Sequence, residues 1–92
     1  MIKVAVKEPD EPVEFKKINN SLEELQNIVG GYIECVQAGS GVIIICNEGG
    51  LIHGLKKNVF GFVGTIIFVS QSGSHFSSLN KKQEEFVRCI LK

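Results

Sequence analysis

Ninety-two residues suffice for one compact domain and not for two, so residues 1–92 are read as a single unit. Ten basic against ten acidic side chains give a formal net charge of zero, so the chain lacks the positive field that steers proteins onto nucleic acid or anionic membranes. No apolar stretch approaches the ~20 residues of a membrane helix, and no secretory leader pattern opens the chain. Cys35, Cys46 and Cys89 are odd in number and lie among Ile, Val and Phe. They suit small buried side chains of a reducing, cytoplasmic compartment better than a disulfide framework.

In chain order, "IKVAVKE" sets Ile2, Val4 and Val6 opposite Lys3 and Lys7, the period-two pattern of a half-buried strand. "PDEP" at 9–12 turns the chain and "VEFKKI" resumes the alternation, predicting a hairpin. Then Ser21 and Glu24 have the spacing of a capping box, in which each side chain bonds the other residue's amide. Leu22, Leu25, Ile28 and Val29 follow on one helical face, and Gly30 or Gly31 supplies a left-handed stop. "YIECVQ" and "VIIIC" read as strands around "AGSG", and "NEGG" as the next turn. "LIHGL" reads as a short return strand, "KKN" as a turn and "GTIIFVS" as a strand that "QSGSH" closes. Asn80 with Gln83 caps a second helix whose stripe holds Leu79, Phe86, Val87, Ile90 and Leu91.

Short connections between paired strands predict an α+β fold, a mostly antiparallel sheet of five or six strands with two amphipathic helices on one face. Residues 42–46 and 65–69 are apolar toward both sides of such a sheet. Hiding ~400 Å² of that second face is worth on the order of 10 kcal/mol. A second copy of the chain, a homo-oligomer, is the simplest cover; loops folded over the sheet, or a helix misread as a strand, are the alternatives.

The stretch from "IKVAVKEPDEPVEFKKINNSLEELQNIVGGYIECV" through "IICNEGGLIHGLKKN" to "GTIIFV" resembles a family known as domain of unknown function 3846, found largely in phages and other mobile elements. The specific pieces are Asn20, Leu22, Leu25, Gln26, Val29, Gly30, Gly31, Ile33 and Glu34, then Cys46-Asn47-Glu48, Leu55 with Asn58, and Gly64-Thr65. Where that family tends to read Pro-x-Asn-Arg after the leucine, this chain has Lys56-Lys57-Asn58-Val59, which speaks against an arginine-dependent anion site. The connection from Asn58 to Gly64 is also shorter than the family's usual one. The resemblance implies an accessory role such as counter-defence and brings no catalytic mechanism with it.

His53, His75 and the cysteines lack the clustered spacing of metal ligands, so no metal and no cofactor is expected. Cys46 with His53 is the one nucleophile–base pair the hairpin brings near each other. A packed cysteine and a surface histidine explain the two residues better, so no enzyme is expected.

Two polar stretches remain. In "CNEGGLIHGLKKN" the glycines first suit a tight hairpin; second, they leave room for a ligand beside Asn47, Glu48, Lys56, Lys57 and Asn58. In "SQSGSHFSS", Phe76 first reads as an anchor to the core and second as a face on which a base stacks. Joined at a subunit boundary, the stretches would hold a small anionic, nucleotide-like ligand on Asn47, Glu48, Lys56, Lys57, Asn58, Thr65, Ser72 and Phe76. Three functions follow in order: sequestering a nucleotide-derived signal, binding a host or phage protein as an inhibitor or assembly factor, and, last, catalysis.

Overall fold

The computed structural model describes residues 1–91. The strands are β1 (Ile2–Lys7), β2 (Glu14–Ile18), β3 (Ile33–Gly39), β4 (Val42–Asn47), β5 (Ile66–Ser72) and β6 (His75–Ser77); the helices are α1 (Leu22–Val29) and α2 (Lys81–Ile90). One six-stranded sheet runs in the order β2-β1-β5-β4-β3, with β6 paired to the far end of β5. Every pairing is antiparallel. The fold is α+β, as the pattern of elements predicts.

Local chemistry accounts for the helix ends. Ser21 Oγ accepts from the Glu24 amide at 3.2 Å, the forward half of the expected cap. Gly30, at φ +82°, closes α1 by donating to the Gln26 carbonyl. At α2 both halves of the box form, Gln83 N to Asn80 Oδ1 at 2.8 Å and Asn80 N to Gln83 Oε1 at 2.9 Å.

The helices lie on opposite faces, not on one. Alternation divides β4 and β5 between two cores: Ile43, Ile45, Ile67 and Val69 meet Leu25 and Val29 of α1. Val42, Ile44, Cys46, Ile66 and Phe68 meet Val87 of α2, with Phe86 and Ile90 alongside. The doubly apolar strands are therefore the middle of a three-layer sandwich, and every residue from Val42 to Asn47 is buried. Since the chain shelters both faces itself, the apolar flank gives no reason to expect a second copy on the sheet face. The α2 side is further tied down by Lys3 Nζ to Glu84 at 3.2 Å and by Arg88 over the Phe15 ring at 4.4 Å.

Two connections differ from the sequence expectation. Residues 51–54 form turns instead of a return strand, and Leu51 and Ile52 are 82% and 89% exposed. Too few of their side chains meet a core to hold an extended strand there. β5 runs on to Ser72 and turns at Gly73 (φ +61°) into β6, where Phe76 packs against the α1-side core. "QSGSH" is thus a hairpin in its own right. Among the described residues no helix is long and apolar enough to cross a membrane.

Candidate functional site

A concavity of about 750 Å³ opens where the C-terminal end of α1 meets the end of β4 and the loop after it. Such a volume is ample for a small molecule. Its floor follows from one side chain. Asn47 is buried, donates from Nδ2 to the Val29 carbonyl at 3.1 Å and accepts at Oδ1 from the Gly49 amide at 2.8 Å. It thereby satisfies a helix-end carbonyl and sets the direction of the loop. A β-carbon on Gly31 would stand 2.9 Å from Asn47 Nδ2, so this approach requires glycine. Gly50 is needed for the same kind of reason, since a β-carbon there would sit 2.5 Å from Val63 Cγ2. Neither Gly49 nor Gly50 has a positive φ, so close approach and not a tight hairpin explains "NEGG". The Glu48 amide donates to the Tyr32 carbonyl at 2.8 Å and extends the β3–β4 ladder to the rim.

Around this floor stand the amides of Gln26 and Asn27, the Glu48 carboxylate, the His53 imidazole and the apolar surfaces of Tyr32 and Ile52. Tyr32 is 76% exposed. Among the described residues no lysine or arginine lines the cleft. The negative end of the α1 dipole lies at the same place, so the cleft combines a negative field with several acceptors and an aromatic face.

Of the candidate ligand residues expected from the sequence, only Asn47 and Glu48 line this cleft, and Asn47 does so as its scaffold. Lys57 and Asn58 border a separate, smaller hollow with Lys7, Asp10 and Val59. There Asn58 donates from Nδ2 to the carbonyls of Lys7 and Gly64, each at 2.8 Å, and accepts from the Val59 amide, stapling the loop to β1. Lys56 is ion-paired with Asp10. That pairing holds the Asp10 carboxyl below and the Lys56 ammonium above their ordinary ranges. Thr65 is half-buried just before β5, while Ser72 and Phe76 belong to the hairpin at the other end of that strand. A seven-residue strand separates the two loops by about 20 Å, so one chain does not bring them together. Asn20 Nδ2 donates to the Phe76 carbonyl at 2.9 Å, which with the packing of its ring makes Phe76 an anchor.

Sequence reasoning missed Gln26, Asn27, Tyr32 and His53 as cleft residues. The signal was present in "QNIVGGY", where two amides and a tyrosine flank a helix stop, but it reads equally as an ordinary helix end. Cys46 lies in the α2-side core, its thiol 3.6 Å from the Glu34 carbonyl and pushed up by burial, with Glu34 and Cys35 adding to the shift. His53 lines the cleft beside Gly49 on the other side of the sheet. The two do not form a nucleophile–base pair. Among the described residues no group of three or more His, Cys, Asp or Glu is placed to hold a metal ion.

The sequence profile of a family described as domain of unknown function (DUF3846) matches residues 2–91. The chain belongs to that family. The match takes in both helices, all six strands and the whole cleft. No curated protein and no solved structure matches the chain.

Proposed function

We propose that this DUF3846 protein is a binding domain that takes up a planar, donor-bearing heterocycle of the nucleobase type in the cleft between α1 and the 48–53 loop, without converting it. The observation that carries the reading is the lining: amides and a carboxylate to accept and donate on a ring edge, Tyr32 to stack on its face, and, among the described residues, no lysine or arginine for a polyphosphate. A nucleoside-like signal fits this field better than the anionic nucleotide anticipated from Lys56 and Lys57. Binding without turnover is an accessory, sequestering role. Three unpaired cysteines suit the reducing cytoplasm of a host cell.

Titration calorimetry against nucleosides and their mono- to triphosphates tests the reading, with chromatography of the recovered ligand to detect turnover. A nucleoside should bind more tightly than its triphosphate and return intact. Loss of Tyr32 stacking in Tyr32→Ala should cost ~1–3 kcal/mol, and Lys56→Ala with Lys57→Ala should leave affinity unchanged. Silence across the panel, or dependence on the lysines, overturns it.

Leu51 and Ile52 favour a second reading, a module that grips a host or phage protein, because two large apolar side chains at a loop tip are a common protein-binding feature. Under that reading Ile52→Asp abolishes partner capture, whereas cleft substitutions on α1 do not.

A further inference from the structure

Glu48 leaves the end of β4 opposite Tyr32: its amide donates to the Tyr32 carbonyl at 2.8 Å, one step beyond the Ile33–Asn47 pair. Opposed residues of an antiparallel ladder project to the same side with β-carbons about 5 Å apart, so the Glu48 carboxylate stands beside the Tyr32 ring at the cleft. Both residues are exposed, and among the described residues the carboxylate forms no ion pair. The end of α1 adds a second acceptor. Gly30 and Gly31 both donate to the Gln26 carbonyl, at 2.8 and 3.1 Å, so neither of the amides three and four residues past Asn27 closes on the Asn27 carbonyl. That carbonyl is left at the helix end where the cleft opens. A donor lies close by: a β-carbon on Gly49 would stand 3.2 Å from Cε1 of His53, which places the imidazole next to Glu48.

We infer that the cleft selects guanine among the nucleobases, as a nucleoside, with Glu48 as the specificity-determining residue, an assignment that rests on the cleft's being a nucleobase site. A carboxylate only accepts hydrogen bonds, and its two oxygens match two adjacent donors in one plane. Guanine carries such a pair, N1–H beside the N2 amino group. Adenine and cytosine set their amino group beside a ring acceptor, and uracil sets its ring N–H between two carbonyls. Each of these three turns an acceptor toward the carboxylate, and two acceptors facing each other forfeit a bond and repel. On guanine the remaining group of the same edge, O6, falls to an N–H of His53, while the ring lies on the face of Tyr32. Glu48 thus reads the edge of a base that Tyr32 holds by its face.

Titration calorimetry of the wild-type chain and of Glu48→Gln with guanosine, inosine, adenosine, cytidine and uridine tests the assignment. The wild type should bind guanosine about tenfold to a hundredfold more tightly than inosine, which lacks the N2 amino group, and than the other three. Glu48→Gln, which sets a donor against one of guanine's donors, should bind guanosine no better than inosine. Its circular dichroism should be unchanged, since residue 48 is exposed and holds the ladder through its backbone amide. The guanosine-to-inosine ratio on the wild type needs no variant at all. Another nucleoside bound as tightly as guanosine overturns the guanine assignment and leaves nucleobase binding itself standing, as does a guanosine preference that survives Glu48→Gln. Silence toward all five nucleosides overturns both.

Discussion

The two faces of the sheet are built from the same strands and solve different problems. Toward α1, the apolar residues of β4 and β5 are Ile43, Ile45, Ile67 and Val69, and this aliphatic layer ends at an open cleft floored by Asn47. Toward α2 they present Phe68 among Val42, Ile44, Cys46 and Ile66, and Phe15, Phe62 and Phe86 pack around that layer. The second face also encloses a polar node: buried Gln83 donates from Nε2 to Ser70 Oγ at 2.9 Å and to the Ser40 carbonyl at 3.2 Å. One face is thus closed and locked by specific hydrogen bonds, and the other is left with an entrance. A small domain can expose a binding cleft when the opposite layer supplies much of its rigidity.

The largest blow to this arrangement should come from Phe68→Ala, because Phe68 is fully buried and central to the aromatic layer. A loss of about 3–5 kcal/mol in urea unfolding is expected, against about 0.5–1.5 kcal/mol for Ile67→Val on the α1 side. Gln83→Ala comes next, at about 1–3 kcal/mol, since it strands Ser70 Oγ and removes half of the α2 capping box. An unchanged unfolding midpoint would show that the node adds nothing to the locked face.

Asn47→Ala should cost about 1–2 kcal/mol and act locally, freeing the Val29 carbonyl and the Gly49 amide. Hydrogen exchange should then accelerate in residues 48–55 and leave the core of β5 protected. Uniform acceleration would instead make Asn47 a global support, and the cleft floor would lose its separate standing.

Much of this organisation was legible in the residues. The Ser21 and Asn80 caps, the Gly30 stop and the alternation in β1 and β2 are local signals, and local signals survive folding unchanged. The doubly apolar "VIIIC" and "TIIFV" correctly announced two covered faces, but the second cover was assigned to another chain when α2 supplied it. Which side of a sheet a helix takes depends on the path of the connection before it. Here that path is set by the β5–β6 hairpin and by the bond from the Leu79 amide to the Lys3 carbonyl at 2.9 Å, contacts distant in sequence. The cleft was half legible for the same reason. Asn47 and Glu48 sit in a polar stretch that announces itself, whereas Gln26, Asn27 and Tyr32 become a wall only once α1 is laid beside the end of β4.

The smallest effect is expected at Lys56, one of the two lysines the sequence offers as a grip for an anion. Lys56 and Asp10 are solvent-exposed, and their ion pair lies away from the cleft. Asp10, lowered chiefly by its hydrogen bond to Lys56, keeps its share of stability above the ordinary carboxylate value of 3.8 and loses it as pH falls through the lowered value. Lys56, raised chiefly by its hydrogen bond to Asp10, keeps its share below 10.5 and loses it as pH climbs through the raised value. The pair is therefore intact at neutral pH and dissolves at both extremes. Solvent screening leaves it little to contribute even then, so Lys56→Ala should leave the Tm at pH 7 within measurement scatter. A clear drop in Tm at neutral pH that vanishes once Asp10 is protonated in strong acid would show that this ion pair, and not Asn58 alone, fastens the loop to β1, and would extend the locked part of the molecule beyond the α2 layer.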